Sequence, residues 1–109
     1  MRRSILFAFA LAVGAFAPPL FAQTPQPHLV LVEIQGFAFV PAMIEVAVGD
    51  TVVWTNHDFV PHTATADDES WTTPELPVDA AGRVVMQKAG LFTYHCRYHP
   101  AMKATILVK

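Results

Sequence analysis

Tyr94-His95-Cys96-Arg97-Tyr98-His99-Pro100-Ala101-Met102 carries the only cysteine of the chain, with a histidine three residues on and a methionine three beyond that. A thiolate, an imidazole and a thioether thus share one short loop. Soft sulfur with imidazole suits a copper ion that cycles between Cu(I) and Cu(II). Such a site needs a second imidazole. His62, in Val60-Pro61-His62-Thr63, is the obvious donor, distant in sequence but within reach across a folded sheet. Two His and one Cys in a trigonal plane with a weak axial Met is the arrangement of blue-copper electron-transfer centres. Taken singly, each residue has an ordinary reading. A lone cysteine is usually a small buried hydrophobe, His99 would be a surface histidine, and Met102 a core methionine. The mixed donor set at this spacing is what points to copper.

The elements that must position these groups read as short strands. Leu29 to Gln35 alternates around Val30, Val32 and Ile34. Gly36 to Pro41 carries two aromatics at strand spacing and ends in a turn. Met43 to Val48 sets Ile44, Val46 and Val48 on one face. Gly49-Asp50 is a hairpin-type turn, and Thr51 to Asn56 follows with Val52 and Trp54 inward. Asn56 to Pro61 is a loop that delivers His62 into a strand from His62 to Ala66. Asp67 to Asp79 is polar, acidic and proline-containing, a long surface connection. Arg83 to Lys88, Leu91 to His95 and Ala104 to Val108 complete the set. About seven short strands with no helical pattern predict an all-β fold, an antiparallel Greek-key β-sandwich.

Phe37-x-Phe39-x-Pro41, Gly49-Asp50-Thr51-Val52-x-Trp54-x-Asn56, Pro61-His62-Thr63 and Tyr94-x-Cys96-x-x-His99-Pro100-x-Met102 together resemble a small type 1 copper protein of the cupredoxin family. The short Cys-x-x-His-x-x-Met loop most resembles the amicyanin and pseudoazurin branches. The resemblance runs from about Phe37 to Val108. It implies one copper ion held by His62, Cys96, His99 and Met102, with Met102 the weak axial ligand. Pro61-His62-Thr63 matches the family motif, which favours His62 over His57 in the Asn56-His57-Asp58 turn. Alternation points His95 away from Cys96, and His28 reads as solvated. Trp54 and Trp71 read as core and loop anchors. The N–H of Thr63 is expected to reach the Cys96 sulfur, Asn56 to tie the two ligand loops together, and the ligand imidazole to give its second N–H to a carbonyl or carboxylate. Thr63 stands where the family often has Asn.

Residues 1–22 read as a secretory signal peptide. Arg2-Arg3 is followed by an apolar run from Ile5 to Val13, too short to span a membrane and followed by Pro18-Pro19. Cleavage after Ala22 leaves residues 23–109 as a single domain of 87 residues. Ordinary secretion is favoured over twin-arginine export, and no cysteine near the cut offers a lipid anchor. The whole chain carries a formal charge of −2. Without the leader arginines, five cations face nine carboxylates, a net −4. That balance excludes nucleic acid as a partner class. An unpaired thiol in an oxidising compartment is a liability unless a metal holds it.

These features imply a periplasmic, monomeric one-electron carrier with no stable membrane insertion once the leader is gone. Its redox protein partners would dock near His99, on an apolar ring of Val60, Pro61, Pro100 and Ala101. The alternative class is a periplasmic copper-handling protein using the same ligands. An enzyme is not expected: Arg97 stands where a His-Cys-His bridge to a catalytic copper cluster would need its second histidine, and no His-x-His pair exists.

Overall fold

The computed structural model describes residues 12, 14, 15 and 26–109. The predicted leader, residues 1–22, lies outside the described residues except for Ala12, Gly14 and Ala15. Among the described residues there are eight strands: β1 (Leu29–Gln35), β2 (Ala38–Val40), β3 (Met43–Val46), β4 (Thr51–Asn56), β5 (Thr65–Ala66), β6 (Ala81–Val85), β7 (Gly90–Cys96) and β8 (His99–Val108). They form two four-stranded sheets, ordered β2-β1-β4-β6 and β3-β8-β7-β5.

The sheets pack face to face over side chains that follow the two-residue period of each strand. Val32 and Ile34 of β1, Val52 and Trp54 of β4, Tyr94 and Cys96 of β7, and Ile106 of β8 are all fully buried. The sandwich is therefore as the alternation predicts, but its pairing is not antiparallel throughout. β1 pairs parallel with β4, and β3 parallel with β8. The chain leaves the first sheet after β2, runs β3 in the second, and returns to lay β4 beside β1. A strand that returns after such a crossing can arrive in its neighbour's direction, which a hairpin cannot do.

Three local readings need correction. Val48 lies beyond the end of β3 and is half exposed, although Ile44 and Val46 are buried as expected. The β1–β2 link is a two-residue turn, with Gly36 at φ 60° and Phe37 at φ 56° between the paired Gln35 and Ala38. Two successive positive φ values make this the primed hairpin turn that matches strand twist, so Phe37 sits in a turn and not in a strand. Finally, residues 67–80 are more than a surface connection. Thr73 and Leu76 are buried, and Trp71 stacks on Trp54 with centroids 5.5 Å apart. A Cβ on Gly82 would come within 2.9 Å of Leu76 and 3.1 Å of Thr73, so glycine lets β6 approach this segment.

Candidate metal centre

The predicted ligands gather at one end of the sandwich. Cys96 ends β7 and pairs with His99, the first residue of β8, across the two-residue link Arg97-Tyr98. One step earlier, His95 pairs with Lys103. The register therefore jumps, and Pro100, Ala101 and Met102 are extra residues on the β8 side. Such bulges re-aim side chains beside functional sites. Here Met102 is buried at 5% exposure while Pro100 and Ala101 stay exposed. β8 thus begins at His99, five residues before the expected Ala104.

His62 reaches the same end from the other side. The strand predicted over 62–66 shortens to Thr65–Ala66, because His62 pairs instead with Leu76 of the acidic connection. His62 N donates to Leu76 O at 3.1 Å, and Leu76 N to His62 O at 2.8 Å. Leu76 is the lone apolar residue in Thr73-Pro74-Glu75-Leu76-Pro77, a signal that was there to be read. The His62 ring is fully buried, and its Nδ1 lies 3.5 Å from Cys96 Sγ. Two donors on one tetrahedral metal ion, with sulfur about 2.3 Å and nitrogen about 2.0 Å from it, stand about 3.5 Å apart. The buried pair is spaced to share an ion.

His62 Nε2 donates to Asp58 Oδ2 at 2.9 Å. That bond places the proton on Nε2 and leaves the Nδ1 lone pair facing the sulfur. Asp58 also takes the N–H groups of Gly36 at 2.8 Å and Phe37 at 2.9 Å. Partial burial works to raise the Asp58 pKa. The N–H groups of Phe37 and Gly36, then the His62 ring, outweigh it and hold the carboxyl below its ordinary value. Asp58, in the Asn56-His57-Asp58 turn, is thus the carboxylate that fixes the His62 ring.

Phe37 is the other residue that sequence reasoning placed differently. Its ring meets His62 edge to face at 5.2 Å and His99 at 5.0 Å, and the two imidazoles are themselves 5.2 Å apart. A left-handed conformation costs a non-glycine residue about 1–2 kcal/mol. Contact with both imidazoles and the N–H bond to Asp58 offset that cost.

Thr63 does more than expected. Its N–H points at Cys96 Sγ at 3.4 Å, as predicted. Its Oγ1 also accepts from Arg97 N at 2.9 Å and lies 2.9 Å from Thr65 Oγ1. Thr65 Oγ1 is 2.8 Å from Thr72 Oγ1, which donates to Thr73 O at 2.9 Å. One direction of donation satisfies the whole chain, from Arg97 N–H through three hydroxyls to the Thr73 carbonyl. Aligned hydrogen bonds of this kind strengthen one another. Thr63, not Asn56, therefore ties the two ligand loops together. Asn56 ties the upstream loop to itself and to the acidic connection: its Nδ2 donates to Val60 O at 2.9 Å and Leu76 O at 2.8 Å, and its Oδ1 accepts from Asp58 N at 2.9 Å.

The other histidines stay apart from the centre. His57 pairs with Glu33, His95 with Asp67, and His28 lies exposed beside Asp50. Among the described residues, no three His, Cys, Asp or Glu side chains stand in a ready-made metal shell. The close donor pair is His62 and Cys96, with His99 one ring away.

Two mixed β-sheets with a buried thiol and imidazole at one end define a small β-sandwich of the single-centre metalloprotein kind. The chain belongs to the cupredoxin family: the family model described as a cupredoxin-like domain matches residues 4–108. Amicyanin from Paracoccus denitrificans is 28% identical over 108 residues, covering 92% of this chain and 82% of the relative. Among solved structures, a variant of amicyanin described as Cu(I) superposes with a TM-score of 0.69 at 27% identity, over 74% of this chain and 82% of that one. A purple cupredoxin from Nitrosopumilus maritimus gives 0.69 at 26% identity, over 73% and 99%.

Proposed function

We propose that the chain is a periplasmic blue-copper protein that carries one electron at a time between redox partners. The ligands are His62 through Nδ1, Cys96, His99 and, weakly, Met102. The observation that carries this reading is the fully buried Cys96 thiol facing His62 Nδ1 at 3.5 Å while His62 Nε2 is engaged by Asp58. The Cu(I) description of an amicyanin variant supports the choice of metal. Copper bound there supplies a one-electron couple.

The protein's own part is to hold the donors still and dry. Asp58 fixes the His62 ring, Thr63 N–H stabilises thiolate charge on Cys96, and Phe37 covers both imidazoles. Donors that do not move between oxidation states keep the rearrangement on electron transfer small. His99 alone of the four is half-buried, so its ring edge is the natural exit. Phe59 and Val60 on the upstream loop and Tyr98, Pro100 and Ala101 on the downstream loop are exposed. Weak redox encounters use small patches of this sort. The protein reaches the periplasm by a leader cut after Ala22 and works as a monomer.

The test is the visible spectrum of oxidised, copper-loaded protein. Wild type shows an intense blue thiolate-to-Cu(II) band. Cys96→Ser and His62→Ala lose it, and Met102→Leu only retunes it. A colourless copper complex of the wild type, or an unchanged band in His62→Ala, overturns the assignment.

A further inference from the structure

Among the described residues the flank of the sandwich between β6 and β7 is open, and none of the four ligands lines it. β6 is the last strand of its sheet. β5, the last strand of the other, covers only Tyr94 and His95 of β7. The gap is a groove of about 460 Å³ floored by Trp71, Val84, Met86 and Phe92, with Lys88 and Asp68 on its rim. Asp68 is occupied: its Oδ1 takes both the N–H and the hydroxyl of Ser70. The indole N–H of Trp71 is buried and has no hydrogen-bond partner.

The main chain along this flank is also unpaired. Ala80 O accepts from Asn56 N, and Met86 N donates to Asp50 O. Antiparallel bonding alternates by two residues, so Gly82 and Val84 also face β4. Ala81, Arg83, Val85 and Gln87 therefore turn their N–H and C=O outward, and no hydrogen bond reaches them among the described residues. We propose that this flank takes an extended segment of a partner protein as an added strand on β6, with a bulky apolar side chain in the groove and acidic residues beside it. Three features converge on that occupant. The free edge offers alternate donors and acceptors, which is what strand addition uses. A residue opposite Val84 points inward, onto the Trp71 and Phe92 side chains that line the groove. Its neighbours point outward, beside the exposed Arg83, and Lys88 adds a second cation at the rim.

The probe is an acetylated, amidated pentapeptide: phenylalanine flanked by two glutamates, with threonine at each end. It is titrated into the reduced, copper-loaded protein and followed by ¹⁵N–¹H NMR. The Trp71 indole N–H resonance shifts, and the amides of Arg83, Val85 and Gln87 gain protection from exchange. N-methylating the two glutamate amides weakens binding by about tenfold or more, as expected for two lost main-chain hydrogen bonds. Val85→Pro does the same without breaking a bond within the sheet, since Pro is tolerated where an edge N–H faces solvent. Lys88→Glu also weakens binding. No shift at Trp71, shifts confined to residues around His99, or equal binding of the N-methylated peptide overturns the proposal. The blue band reports separately on the metal centre and stays unchanged in both protein variants.

Discussion

Cys96 and His99 pair with each other in the main chain where β7 meets β8, beside a bulge, whereas His62 lies on a stretch with almost no ladder. Only Leu76 pairs with it in the main chain. The upstream stretch is held instead by polar side chains: Asn56, Asp58 and Thr63 take part in eight hydrogen bonds, four within residues 56–65 and four to Gly36, Phe37, Leu76 and Arg97. The contrast suggests a division of labour. Where the loop is short enough to be a hairpin, the backbone positions the ligand. Where it must cross between sheets, side chains do. Stability should therefore be more sensitive to substitution in the upstream network than around the downstream loop.

Asn56→Ala tests this most severely. The residue is fully buried and its amide serves three partners. Removing it leaves the part-buried Val60 O and Asp58 N without these bonds and takes one of two from Leu76 O, which keeps His62 N–H; an unsatisfied buried group costs about 1–3 kcal/mol. With partial relaxation, a loss of about 2–4 kcal/mol is expected from urea unfolding. The exposed downstream Arg97→Ala, which keeps its main-chain bond to Thr63, should cost less than about 0.5 kcal/mol. Equal losses at the two positions would remove the distinction between the arms.

Thr63→Val sharpens the same comparison. Valine keeps the branched shape and the N–H that points at Cys96. It removes the acceptor for Arg97 N and interrupts the chain of hydroxyls through Thr65 and Thr72. A loss of about 1–2 kcal/mol is expected, with the blue band kept. A band lost along with the hydroxyl would mean that the link between loops, and not the N–H, protects the thiolate.

The same contrast marks what could be read from the residues alone. β1 and β4 appear with the predicted bounds, because an alternating strand in a two-layer sandwich repeats its own period. That Cys96, His99 and Met102 share one hairpin is legible because the hairpin is local. The parallel pairings are not, since alternation says which face is buried and nothing about which strand lies alongside. Asp58 and Leu76 escaped for a related reason. Each acts on His62 through a contact that only the folded chain creates. Asn56 was assigned to the right region and the wrong bond, because its three hydrogen bonds depend on carbonyls whose directions the sequence does not show.

The smallest expected effect compares Asp58 with its counterpart at the far end of β4. Asp50, at the start of that strand, also ties two segments by accepting main-chain N–H bonds, from Ala47 and His28 at 2.9 Å each. Those bonds hold its carboxyl below the usual value of 3.8, although desolvation opposes them. A carboxylate whose folded pKa is depressed contributes stability that is complete above the unfolded value and is lost as pH falls through the folded one. Asparagine accepts through one oxygen and presents an amino group to the other donor. Asp50→Asn should therefore be less stable than wild type near neutral pH. The two should converge as the medium is acidified below about pH 4, where Asp50 in the wild type takes up its proton. Urea midpoints measured across that range give the slope for each protein, and parallel acid limbs would show that Asp50 contributes nothing to it. The blue band separates the two aspartates. Asp50→Asn leaves it unchanged, because the whole of β4 lies between the substitution and the centre, whereas Asp58→Asn shifts it, because the altered group bonds directly to the His62 ring.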